Sequence, residues 1–167
     1  MLNEIREVLE EEFLWSGKFL EEKKTDMSIK IDKRGCKYLA YSFDKDLKGY
    51  KGGLFPYFKR IAKLSSICDY IIFAEDNTDK KLFVLLIELK KSSANTLPQL
   101  KAGKIFAQFL VNTVNRVTQI NYKPKFRLIS IIDSRLHKNL TKEKGVRYIN
   151  DHFSTSANSF LIREFLV

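Results

Sequence analysis

The stretch that decides the fold is residues 68–91: Cys68-Asp69-Tyr70-Ile71-Ile72-Phe73-Ala74, then Glu75-Asp76-Asn77-Thr78-Asp79-Lys80, then Lys81-Leu82-Phe83-Val84-Leu85-Leu86-Ile87-Glu88-Leu89-Lys90-Lys91. Two runs rich in Ile, Val, Leu and Phe flank a segment of turn chemistry, which predicts a hairpin of strands Cys68 to Ala74 and Lys81 to Lys90. With the centre between Thr78 and Asp79, facing residues have numbers that sum to 157, and Asp69 stands opposite Glu88. Side chains alternate along a strand, so Glu88 and Lys90 share one face while Ile87 and Leu89 share the other. A carboxylate and an amine inside an apolar strand are costly unless they are paired or have a task. Two facing carboxylates also repel, so something cationic belongs between them: Lys90 is one candidate and a divalent metal the other.

Before the hairpin, Leu2, Ile5, Val8, Leu9 and Phe13 recur at helical spacing among glutamates, predicting an amphipathic helix to about Trp15 that lies on a sheet. Ser28 to Asp32 and Cys36 to Phe43 read as a second hairpin around Asp32-Lys33-Arg34-Gly35, Gly35 supplying a backbone conformation that other residues resist. Gly49 to Gly53 reads as loop and Pro56 to about Leu64 as a short helix. After the hairpin, Ser92, Ser93, Asn95 and Thr96 offer caps and Pro98 suits a first turn. A pattern through Phe106, Phe109, Leu110, Val114 and Val117 then predicts a long helix to about Gln119. Phe126 to Ile132 is a continuous apolar run, expected of a central strand covered on both faces, and Arg147 to Asn150 and Ser159 to Arg163 are weaker strands. The order helix, three strands, helix, strand predicts an α/β fold with an αβββαβ core, a mixed central sheet flanked by helices.

With 167 residues, 44% of them hydrophobic, residues 1–167 form one expected domain that needs no disulfide or structural metal. No apolar run is long enough to span a bilayer and the first residues lack a signal-peptide pattern, so a cytoplasmic protein with no membrane partner is expected. Cys36 and Cys68 have neither a Cys-x-x-Cys partner nor histidines at zinc-ligand spacing, and read as reduced packing thiols. A net charge of +10 points to a polyanion such as nucleic acid, or else to a solvated lysine surface. Residues 1–26 hold eight acidic and four basic side chains, a net −4, so the remainder carries +14 and the basic character belongs to the body of the chain.

Oxygen-only ligands with room for water suit Mg²⁺ or Mn²⁺, which bind readily beside phosphate groups. Such an ion polarises a scissile phosphate, and a nearby lysine orients the attacking water and offsets developing charge, which is the chemistry of phosphodiester hydrolysis. The competing reading of Asp69, Glu88 and Lys90 is a buried ion-pair cluster without catalysis.

Cys68-Asp69-Tyr70-Ile71-Ile72-Phe73 followed by Leu86-Ile87-Glu88-Leu89-Lys90-Lys91 resembles the PD-(D/E)xK nuclease superfamily of restriction-type and defence-associated nucleases, in which an Asp at a strand start precedes Glu-x-Lys on the next strand. Cys68 stands where the nominal pattern has proline. The resemblance implies a restriction-endonuclease-like core and a Mg²⁺- or Mn²⁺-dependent nuclease acting on DNA ahead of RNA, with a defence role against foreign DNA. Asp69 and Glu88 would bind metal together with the backbone carbonyl of Leu89, and Lys90 would be the catalytic lysine. Leu97-Pro98-Gln99-Leu100 resembles the Gln-bearing helix start of several small members, making Gln99 a further catalytic-site residue, and Glu11 or Glu12 could supply the first-helix carboxylate some members use. The alternative is a catalytically inactive nuclease-like domain that binds nucleic acid or protein. No separate recognition domain is evident, so a homo-oligomer or a partner protein would serve targeting.

Lys91, Lys101 and Lys104 are the candidate nucleic-acid contacts. Lys101 and Lys104 open a polar stripe that continues through Gln108, Asn112 and Asn115 and is equally well a solvated helix face. Beyond residue 120, nine basic and four acidic side chains include Lys123, Lys125, Arg127, Arg135, Lys138, Lys142, Lys144 and Arg147, which would add affinity if they line the cleft. Tyr148 and Phe153 are candidates for base stacking, with core packing the commoner use of such aromatics. His137 and His152 have no ligand-spaced partner and read as surface or loop residues. Gly103-Lys104 lacks the first glycine and the Ser/Thr of a phosphate-binding loop, and there is no Gly-x-Ser-x-Gly elbow.

Overall fold

The computed structural model describes residues 1–23, 26–43, 64–76, 81–91, 95–132, 147–149, 152–155 and 159–167. Helix α1 (Leu2–Val8) leads into a 3-10 turn, Glu11–Phe13, and a short strand β1 (Leu14–Trp15). The spacing predicted helix to about Trp15, but Leu9 turns extended, with φ −98° and ψ 137°. Beyond it Phe13 and Leu14 are claimed by the sheet: Leu14 pairs with Tyr41, Ser42 N–H donates to Phe13 O at 2.9 Å, and the Phe13 and Phe43 rings lie 5.1 Å apart. Helical preference amounts to only a few tenths of a kcal/mol per residue, so this pairing and packing outweigh it.

Strands β2 (Phe19–Glu22) and β3 (Met27–Asp32) pair antiparallel and, with β10 (Ser159–Leu161) parallel to β3, make a three-stranded sheet. Strand β4 (Lys37–Tyr41) joins a different, seven-stranded sheet. The predicted hairpin of residues 28–43 is therefore two correct strands with the wrong partners. Its turn is real, since Cys36 N–H donates to Lys33 O at 2.9 Å and Gly35 has φ +83°, but it hands the chain from one sheet to the other.

In the large sheet β4 pairs antiparallel with β5 (Tyr70–Glu75) and β5 with β6 (Leu82–Lys90). Tyr70 faces Ile87 and Glu75 faces Leu82, so the register is the one that sums to 157. Helix α2 (Leu97–Thr118) then returns the chain to β7 (Lys125–Ile132), parallel to β6, followed by β8 (Arg147–Ile149) and β9 (His152–Thr155). The strand order is β1-β4-β5-β6-β7-β9-β8, with β9 parallel to β7 and β8 antiparallel to β9. β9 escapes the apolar-run criterion because His152, Ser154 and Thr155 are polar.

Three layers result. Val84 and Leu86 pack with Ile5 of α1 and Leu100, Ala107, Val111 and Val114 of α2. On the other face Leu85, Ile87 and Leu89 pack with Leu20 and Ile29 of the small sheet and with Phe160 and Phe165. With both faces covered, β6 buries every residue except Lys90, which explains its unbroken apolar sequence. The predicted loop at 49–53, all of the predicted helix from Pro56 except Leu64, the caps Ser92 and Ser93, and His137 with Arg135, Lys138, Lys142 and Lys144 lie outside the described residues. Among the described residues no helix is long and apolar enough to cross a membrane.

Candidate functional site

Glu88 continues the face of β6 that Val84 and Leu86 begin, yet it is a carboxylate with 0% of its surface exposed. Lys90, two residues on and therefore on the same face, places Nζ 2.7 Å from Glu88 Oε1 while remaining 27% exposed at the strand end. No hydrogen bond of good geometry reaches either Glu88 oxygen among the described residues, although the backbone N–H of Asp69 also acts on this buried carboxylate. Asp69 immediately precedes β5, and its Oδ2 accepts the backbone N–H of Leu89 at 2.7 Å. The two carboxylates thus meet across neighbouring strands at the end of the sheet where α2 begins.

Burial raises the pKa of Asp69 to about 8, the Glu88 charge adds to the rise, and the Leu89 N–H opposes it. Burial also raises the pKa of Glu88, against the pull of the Lys90 ammonium and of the Asp69 backbone N–H. For Lys90 burial acts downward, but Glu88, Asp69 and Glu22 outweigh it and the ammonium is held above its ordinary value. Two carboxylates and one ammonium also leave the cluster one positive charge short of neutrality when both acids are ionised, which adds to the effect of burial.

Glu22, the last residue of β2, is the participant that sequence reasoning missed. Its side chain hydrogen-bonds the Asp69 carboxyl, and its charge raises both Asp69 and Glu88. Tyr70 holds it there: the Tyr70 hydroxyl accepts the Glu21 N–H at 2.9 Å and donates to Glu21 O at 2.8 Å, tying β2 across to β5. The only local signal is that Leu20 and Glu22 alternate onto one face, the face that packs inward. Glu11, a candidate for an extra carboxylate, instead pairs with Arg6 at the surface at 2.8 Å.

The remaining expected site residues divide. Gln99 lies half-buried in the first turn of α2, with no hydrogen bond to Asp69, Glu88 or Lys90. Lys91 and Lys101 are exposed near the same end of the sheet. Lys104 points elsewhere, its ammonium 5.7 Å from the Phe126 ring centre, and Lys125 and Arg127 sit over Phe83, 5.5 and 5.6 Å from its centre. Phe83 is five residues before Glu88, about 16 Å along the strand, so these three cations gather away from the carboxylates. Asn115 exchanges hydrogen bonds with the backbone of Tyr122, a structural use. Phe153 packs edge-on against Phe165 in the core, and Cys36 and Cys68 are buried free thiols. His152, expected at the surface or in a loop, is on β9 with Nε2 2.7 Å from Ser130 Oγ.

No family model matches the chain, and neither a curated protein nor a solved structure matches it. The chain is a mixed α/β protein by its own architecture. Among the described residues no group of three or more His, Cys, Asp and Glu side chains converges for a metal ion. Glu22 therefore meets Asp69 without closing a three-carboxylate cage. What the donors do fit is a hard cation that keeps several waters: among the described residues neither buried Glu88 oxygen makes a well-formed hydrogen bond, and the register that pairs Tyr70 with Ile87 sets Asp69 opposite Glu88.

Proposed function

We propose that the chain is a metal-dependent nuclease of the PD-(D/E)xK superfamily with a restriction-endonuclease-like core. The single observation that carries this reading is the wholly buried Glu88, whose oxygens make no well-formed hydrogen bond among the described residues, facing Asp69 and flanked by Lys90. Its setting supports it, because α1, the β4-β5-β6 meander, α2 and the parallel β7 keep the αβββαβ order, with β1, β2 and β3 inserted between α1 and β4.

Asp69 and Glu88 would hold Mg²⁺ or Mn²⁺. The N–H of Leu89 faces Asp69, and since a strand residue directs N–H and C=O to the same neighbouring strand, its carbonyl is available on that side. A divalent cation there supplies Lewis-acid polarisation of the scissile phosphate and eases ionisation of water. Lys90, ionised through its pair with Glu88, orients the attacking water and offsets negative charge growing on the phosphate. Lys91 and Lys101 would contact flanking phosphates, and the +14 carried beyond residue 26 favours a polyanion, DNA ahead of RNA. A defence role against foreign DNA, with a second copy or a partner protein providing targeting, completes this reading.

The test is calorimetric titration of Mn²⁺ or Mg²⁺ into wild type and Glu88→Gln, with circular dichroism on both. Binding by wild type that Glu88→Gln loses is the expected result, and nucleic-acid cleavage that Lys90→Met abolishes without unfolding should accompany it. Equal cleavage by Lys90→Met would sink the assignment. The second reading, an inactive nuclease-like domain that binds nucleic acid or protein, is favoured by the Lys90–Glu88 ion pair at 2.7 Å, which already supplies a cation from within the chain. Salt-sensitive nucleic-acid binding without metal-dependent cleavage would select it.

A further inference from the structure

Ser130 of β7 is the ladder partner of Glu88 on the parallel strand, so their side chains emerge side by side on the same face. Ser130 is 2% exposed, and its hydroxyl meets two polar groups. Its Oγ lies 2.7 Å from His152 Nε2 on β9, and it also bonds the Oγ1 of Thr96, the residue just before α2. Thr96 stands at the N-cap position, 4% exposed, and makes no side-chain cap hydrogen bond. Thr96 forgoes that capping interaction to face Ser130. Asn95 serves the helix start instead, accepting the Leu97 N–H at 3.2 Å.

A serine and a histidine at hydrogen-bond distance have the geometry of a nucleophile and its base. Ser130 is too enclosed for that use, because no reacting carbon can approach a hydroxyl shut between strands. The three groups instead satisfy one another, since each hydroxyl and a neutral imidazole can both donate and accept. Burial lowers the pKa of His152, which favours that neutral form.

We infer that His152 is a positioning residue of the acidic site, fixing Ser130 beside Glu88 and, through Thr96, the start of α2 that carries Gln99 and Lys101. The inference rests on reading Asp69 and Glu88 as a metal centre. Three apolar side chains would fill the same space, but only the hydrogen-bonded chain fixes β9, β7 and α2 in one direction relative to the carboxylates.

The experiment titrates Mn²⁺ calorimetrically into wild type, His152→Phe, His152→Gln and Ser130→Ala, each checked by thermal melting, with cleavage of a mixed-sequence DNA duplex followed in parallel. Partners that orient metal-binding groups typically change metal affinity about 10- to 100-fold when removed. His152→Phe and Ser130→Ala should weaken Mn²⁺ binding on that scale and lower kcat more than they raise KM. His152→Gln, whose amide oxygen can accept from Ser130, should recover most of the loss. Mn²⁺ binding in wild type that is unchanged in folded His152→Phe and Ser130→Ala overturns the role alone. A wild type that binds no Mn²⁺ overturns the metal centre and the role with it. The affinity measurement decides the role even if the duplex is not cut.

Discussion

The carboxylate of Asp69 accepts the backbone N–H of Leu89 at 2.7 Å, so the residue just before β5 is bonded to the same strand whose Glu88 adds to the rise in pKa that burial causes. Attraction to the backbone and repulsion from the neighbouring carboxylate act on one side chain. Much of the behaviour expected of the site follows from that opposition.

The stability of the cation-free protein should depend on pH through Asp69. Its folded pKa is raised from 3.8 to about 8, so between those values the folded chain holds a proton that the unfolded chain has released. Stability from this group is then full at low pH and declines as pH rises toward 8. Asp69→Asn stays neutral and keeps an oxygen for the Leu89 N–H. Its melting temperature should gain on that of wild type between pH 5 and pH 8, and Mn²⁺ should stabilise wild type more than the variant. A difference in melting temperature that is the same at both pH values would refute this account.

Lys90 and Glu88 should be energetically coupled. Removing Lys90 leaves a carboxylate buried beside Asp69 with no cation, and a charged hydrogen bond of this kind is worth about 2 kcal/mol. In a urea double-mutant cycle with Lys90→Met and Glu88→Gln, the double variant should be more stable than the sum of the single losses predicts. Strict additivity would mean that solvent already screens the pair.

Gly103 is placed by close approach rather than by backbone conformation. A Cβ there would meet the Cys68 Sγ nearer than real Cβ contacts allow, and Cys68 is fully buried at the entry to β5. Alanine ordinarily improves a helix interior by about 1 kcal/mol over glycine. Gly103→Ala should instead destabilise by about 1–3 kcal/mol, the usual cost of overpacking. Adding Cys68→Ala should restore part of that loss in chemical denaturation; no restoration would place the strain elsewhere.

Tyr70→Phe strips both hydrogen bonds from the Glu21 backbone and should cost about 1–3 kcal/mol. It should also loosen Glu22 from Asp69 and lower the Asp69 pKa, read as a shift of the carboxyl resonance in an NMR titration. An unmoved Asp69 titration would show that β2 is held by its core packing alone.

The central hairpin was legible because its information is local. Alternation puts Glu88 and Lys90 on one face, and the expectation of facing residues that sum to 157 gives the register whose Tyr70–Ile87 and Glu75–Leu82 pairs are observed. The long helix and β7 were legible for the same reason, each being a continuous periodic or apolar run. The first helix was overextended because Phe13 and Leu14 keep helical spacing while belonging to the sheet. Chain neighbours β3 and β4 were read as partners, although the turn between them changes sheets.

By itself, the sequence determined the β5–β6 hairpin, the long helix and β7, and which polar residues of β6 share a face, because steric alternation and hydrophobic periodicity act over a few residues; it left β2 and β9 unassigned. Only the tertiary structure decided that Glu22 meets Asp69, that Ser130 stands beside Glu88, and that His152 and Thr96 meet at Ser130. Those relationships join strands and a helix separated by tens of residues, where many partners are chemically acceptable and the packing of three layers selects one.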